Sequence, residues 1–246
     1  MLQSNLFNRA FLFMNLTVPA YRFVNNHFSA PPGKVGLLYG EHGVYPTATL
    51  IASEIIKHQR PVVFIDAANR VDPYFLAKLA RYKGFAPADF LDRAYVSRAF
   101  TCYQLDVSIT EGLLEYMQSV RAQVLIVYGP IDLFDDDQAT MKDIVDIIQR
   151  IHQTFEILKH HHISTMLVSK IPRFQIKERE QLLNPIKEMS DVIYRLESYD
   201  TTQRIFMEKI PYGTNLANSN SLDTERRSKL VEIPEGAQKR GSRYSG

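Results

Sequence analysis

Residues 35–56 constrain the fold most. An apolar run, Val35-Gly36-Leu37-Leu38-Tyr39, ends at Gly40, and a short turn, Glu41-His42-Gly43, follows. Beyond Val44-Tyr45-Pro46-Thr47 the chain enters Ala48-Thr49-Leu50-Ile51-Ala52-Ser53-Glu54-Ile55-Ile56, which has helical spacing. Strand, glycine-containing turn and helix in that order is the layout of a phosphate-binding loop, G-x-x-x-x-G-K-[ST]. Gly40 fits the first glycine and Thr47 the terminal hydroxyl, whereas Tyr45 replaces the second glycine and Pro46 the lysine. Gly40, Glu41, His42, Gly43 and Thr47 therefore read as a vestigial nucleotide site, able to attract an anion at a helix N-terminus. The plainer reading of Gly40 and Thr47 is a tight turn and a helix start.

The rest of the chain repeats the strand–helix alternation. Pro61–Asp66 is a short apolar run ending in an acid, as in a buried parallel strand. Asp72-Pro73 opens a helix marked by Phe75, Leu76, Leu79 and Tyr82, with Asp72 as N-cap, Pro73 in the first turn and Gly84 as the stop. Pro87–Leu91 reads as a helical turn and Ala94–Arg98 as a third strand. One helix is expected through Leu105, Ile109, Leu113, Met117 and Val120, then a strand at Val124–Tyr128. Met141, Ile144, Val145, Ile148, Ile151, Phe155 and Leu158 mark a long amphipathic helix, and Ile163–Ser169 a fifth strand. Asp191–Glu197 and Gln203–Lys209 read as an antiparallel hairpin at the sheet edge. The pattern predicts an α/β fold, a mostly parallel sheet with helices on both faces. Residues 1–34 read as an N-terminal arm, 35–211 as the core domain, and 212–246 as a polar, basic, disordered tail.

At 246 residues the chain can bury one large core. Its formal net charge of +2 gives no general pull on nucleic acid, so any basic patch must be local. Cys102 is the single cysteine, which rules out an intrachain disulfide and suits a reducing compartment, the cytoplasm or a nucleus. No apolar run approaches the roughly 20 residues of a membrane span. Phe11-Leu12-Phe13-Met14 is interrupted by Asn15 and Thr17 and reads as structure rather than as a secretory signal.

The order of elements and several words resemble the ATPase core of RecA/RadA-type recombinases. Phe64-Ile65-Asp66-Ala67-Ala68-Asn69-Arg70-Val71-Asp72-Pro73 sits where that family has a strand, Asp-Thr-Glu-Gly and a helix start. Leu79-Ala80-Arg81-Tyr82 and Leu91-Asp92-Arg93-Ala94-Tyr95-Val96-Ser97-Arg98-Ala99-Phe100 resemble the segments that follow, and Val124–Phe134 its Walker B strand. The resemblance spans roughly residues 33–210 and implies a RecA-like core of the P-loop type. It also implies that three catalytic positions are changed: the phosphate-loop Lys is Pro46, the catalytic Glu is Ala68 and the Walker B Asp is Tyr128. Proline has neither charge nor backbone donor. Loss of a charged stabiliser of phosphoryl transfer can cost on the order of a thousandfold in rate, so the expectation is a paralogue that does not hydrolyse ATP. Asp132, four residues past Tyr128, is expected to point elsewhere.

In the resembling family the loop after the fifth strand contacts DNA. Here Lys170, Arg173, Phe174, Lys177, Arg179 and Lys187 offer cations and an aromatic suited to a single strand, although Glu178, Glu180 and Glu188 interleave them. The second DNA loop would fall at Asp135-Asp136-Asp137, which repels phosphate. The tail cations Arg226, Arg227, Lys239, Arg240 and Arg243 are an electrostatic handle for nucleic acid or simply solubilising. Phe7-Asn8-Arg9-Ala10 matches the Phe-x-x-Ala pattern by which recombinase protomers join, so Phe7 and Ala10 are candidate partner contacts. His160-His161-His162 reads as charge at a helix C-terminus rather than a metal site.

The leading expectation is an accessory or scaffold protein of DNA recombination and repair. It would act through contacts with a RecA-fold recombinase or a second copy of itself, with a further contact to DNA. The competing one is a nucleotide-responsive regulator, of signalling or clock type, that binds ATP without hydrolysing it. No cofactor is expected beyond ATP with magnesium under that second reading.

Overall fold

In a computed structural model the described residues are 33–137, 139–199, 202–209 and 229–231, with backbone alone at 198–199, 202–204 and 229–231. The elements run β1 (Val35–Gly40), α1 (Val44–Lys57), β2 (Val62–Asp66), α2 (Pro73–Tyr82), α3 (Pro87–Leu91) and β3 (Ala94–Arg98). Then come α4 (Cys102–Thr110), α5 (Leu113–Ser119), β4 (Val124–Tyr128), α6 (Met141–His160) and β5 (Ser164–Lys170). The chain continues with α7 (Leu183–Glu188), β6 (Val192–Tyr199), β7 (Thr202–Lys209) and β8 (Lys229–Val231).

The strands form one sheet in the order β3-β2-β4-β5-β1-β6-β7-β8. β3, β2, β4, β5, β1 and β6 are mutually parallel, and β7 runs antiparallel to both β6 and β8. Two cores flank the sheet because alternate strand residues point to opposite faces. Val35, Leu37, Val63, Ile65, Leu125, Val127 and Leu167 meet α4, α5, α6 and α7. Leu38, Val62, Phe64, Val124, Ile126, Met166 and Val168 meet α1, α2 and α3. The α/β architecture is thus the one that the apolar runs predict.

Local chemistry explains where the helices begin. Asp72 accepts from the Tyr74 and Phe75 N–H groups at 2.8 and 3.2 Å, ahead of Pro73 in the first turn. Thr140 and Asp143 form a reciprocal capping box before α6.

Three details differ from the sequence expectation. The helix expected through Leu105–Val120 is two helices, broken where Gly112 takes a φ of 69°. The β6–β7 hairpin forms, yet β8 lies outside it and caps that side of the sheet. β8 itself falls within the segment read as a disordered tail. Among the described residues no helix is long and apolar enough to cross a membrane.

Candidate functional site

The β1–α1 loop opens at the C-terminal ends of the parallel strands, where open α/β sheets bind ligands. Gly40 is held by packing. A Cβ there would lie 2.1 Å from the Leu196 carbonyl oxygen of neighbouring β6. Gly43, with a φ of 79°, is the N-cap of α1, so the helix starts at Val44, ahead of the position where the template places its lysine. Glu41 and His42 are exposed. Thr47 is fully buried, its N–H donates to the Gly43 carbonyl at 3.0 Å, and its Oγ1 has no hydrogen-bond partner among the described residues.

Tyrosines fill the space beneath the loop. Tyr45 is 6% exposed and its ring lies 5.1 Å from that of Tyr128. Tyr128, at the end of β4, is fully buried; its hydroxyl meets Thr49 Oγ1 at 2.8 Å and donates to the Tyr45 carbonyl at 3.1 Å. Burial raises both phenols well above their ordinary pKa range, so they stay neutral hydrogen-bonding groups. Asp66, buried at the end of β2, accepts from the Arg70 and Val71 N–H groups, both at 2.9 Å, and shapes the turn into α2.

Asp132 overturns its sequence expectation. Gly129, with a φ of 64°, turns the chain back after β4 into the short 3-10 helix Asp132–Asp135. Tyr45 Oη then donates to Asp132 Oδ2 at 3.1 Å. The carboxyl therefore returns to the loop from four residues beyond the strand. The Gly129-Pro130 pair was the turn signal in the sequence. Crowding by protein raises the Asp132 pKa, while the Tyr45 hydrogen bond, Lys170 and Arg70 oppose the rise. Asp132 lines a cleft of about 390 Å³ with Glu41, His42, Asp135, Lys170 and Arg173.

The residues read as a DNA surface are dispersed by the fold. Phe174 is 8% exposed and belongs to the core under β4 and β5, so its ring is not presented for stacking. Arg179 is 4% exposed and donates to the carbonyls of Phe134, Asp136 and Ala139 at 2.6, 2.5 and 2.7 Å. Asp135 accepts from the Gln175 and Ile176 N–H groups. The loop after β4 and the loop after β5 are thereby tied to each other. Lys187 lies 4.2 Å from the centre of the Tyr39 ring and donates to its hydroxyl, which in turn donates to Glu208. Lys177 pairs with Glu180 and Arg173 with Glu41, while Lys170 stands exposed at the cleft. Arg226, Arg227, Lys239, Arg240, Arg243, Phe7 and Ala10 lie outside the described residues. Nothing in the sequence marked Arg179 as a clamp, because an arginine among charged neighbours looks the same whether it faces water or carbonyls.

A second concavity lies beside the far sheet edge. Among the described residues β3 pairs only with β2. The Arg93 carbonyl accepts from Val62 N–H and the Ala99 N–H donates to the Asp66 carbonyl, so residues 93, 95, 97 and 99 face β2. By alternation, Val96 and Arg98 turn their backbone groups outward. A cleft of about 280 Å³ opens there, lined by Ile65, Tyr95, Val96, Leu113 and Tyr116. Phe100 and Tyr103 are exposed close by in sequence. No known family model matches the chain, and no curated protein matches it significantly.

Proposed function

We propose that this chain is a RecA-fold paralogue without ATPase chemistry, which serves DNA recombination or repair in the cytoplasm as a contact protein for a RecA-fold partner. The observation that carries this reading is the filled loop. Where a phosphate cradle needs a lysine, open backbone donors and an accessible hydroxyl, this chain has Pro46, the tucked Tyr45 ring and a sealed Thr47. These residues do not fit a magnesium-nucleotide. The mostly parallel sheet with its C-terminal antiparallel hairpin agrees with the fold that the resemblance implies.

The β3 edge supplies the contact. An open edge presents unpaired N–H and C=O groups, and an extended segment adding there gains main-chain hydrogen bonds while its apolar side chains fill pockets. The 280 Å³ cleft beside Val96 suits one aromatic anchor. The sequence carries such an anchor in Phe7, within Phe7-Asn8-Arg9-Ala10, so the partner is a protomer bearing that pattern, a second copy or an active recombinase.

The test is sedimentation of the full chain, alone and mixed with a RecA-type recombinase, against Val96→Pro. Proline removes an outward N–H and leaves the β2 ladder intact. The expected result is association by the parent and at least a tenfold weaker one in the variant. Association unchanged by Val96→Pro, or none in the parent, would refute the reading.

A further inference from the structure

The outer face of α2 carries a stripe that the filled loop and the β3 edge do not use. Tyr74 and Tyr82 are 81% and 71% exposed, the two most exposed large apolar side chains among the described residues. They stand two turns apart, with Lys78 between them at i+4 from Tyr74 and i+4 before Tyr82, and Arg81 beside them. Lys78 and Arg81 are exposed, and neither is in an ion pair among the described residues. The helix itself carries no acid, and its N-cap Asp72 spends its carboxylate on the Tyr74 and Phe75 N–H groups. Lys83, at the helix end, is occupied by Glu54.

Leaving two tyrosines this exposed gains no burial, so packing does not account for them. Rings alternating with cations match a single-stranded nucleic acid: bases stack on the rings and phosphates meet the cations. Eight residues of helix span about 12 Å, on the order of three to four nucleotides at helical stacking distance. We infer that the Tyr74–Lys78–Arg81–Tyr82 face of α2 binds single-stranded nucleic acid. The burial of Phe174 and Arg179 moves this role away from the loop after β5. The inference extends the nucleic-acid side of the proposed function and uses nothing of the β3 surface.

The experiment is fluorescence anisotropy of the full chain with labelled oligo-dT, oligo-rU and a duplex of equal length, across a salt series. The parent is expected to bind both single strands more tightly than the duplex. Tyr74→Ala with Tyr82→Ala should weaken single-strand binding tenfold or more, and Lys78→Gln should flatten the log–log salt slope by about 0.7. All four side chains are exposed, so thermal unfolding should be unchanged and the loss cannot come from misfolding. Val96→Pro should retain oligonucleotide binding, which separates failure of this site from failure of partner pairing. No single-strand binding by the parent at low salt, or equal binding by the double variant, would overturn the inference. So would a double variant that keeps oligonucleotide binding and loses association with a recombinase, which would mark the stripe as a protein-docking face.

Discussion

Single residues decide what the β1–α1 loop can do. Gly40 occupies the first glycine position of a phosphate loop, but the Leu196 carbonyl oxygen lies 2.1 Å from where its Cβ would be. Backbone cannot yield as a side-chain end can, so Gly40→Ala should cost about 2 kcal/mol or more. Urea denaturation measures it; an unchanged midpoint would mean that β6 does not require the glycine. Gly40 and Thr47 were legible in the sequence as positions, because the strand and helix around them are strongly patterned. Their use was not, because the approach of Leu196 and the burial of Thr47 arise between elements far apart in the chain. Asp132 shows the same limit, since a helical turn after Gly129 undoes the distance that four residues of strand would have created.

At the scale of elements, apolar periodicity told strands from helices almost throughout, since β1, β2 and β4 are buried on both faces and read as short apolar runs, with β5 buried up to its last residue. It failed at Gly112, where apolar spacing continues across a left-handed residue that ends one helix and starts the next. It also said nothing of how loops meet. The segments after β4 and β5 are joined by Arg179, whose guanidinium holds three carbonyls, and by Asp135. Arg179→Met would fill similar volume and leave those carbonyls without their donor, costing about 3 kcal/mol. It should also expose 129–140 to protease before the rest of the domain opens. Denaturant titration with limited proteolysis checks both, and parental stability with no new cleavage would show that the two loops hold without the clamp.

Across the whole molecule the two sides of the sheet are treated differently. One side runs through the β6–β7 hairpin to β8, whereas among the described residues the other ends at β3, with a cleft and exposed aromatic residues nearby. Between them, at the ends of the parallel strands, the chain's own Tyr45, Tyr128 and Asp132 pack together beside the β1–α1 loop. In the proposed reading, internal packing stands where a ligand cradle would be, and the β3 edge is the surface offered to a partner. The central claim is therefore that the β1–α1 loop is closed to nucleotide. Isothermal titration of the full chain with magnesium-ATP tests it most directly. The account predicts no saturable heat up to millimolar nucleotide. Stoichiometric binding in the micromolar range, abolished by Thr47→Val, would contradict it and restore the loop as a working nucleotide site.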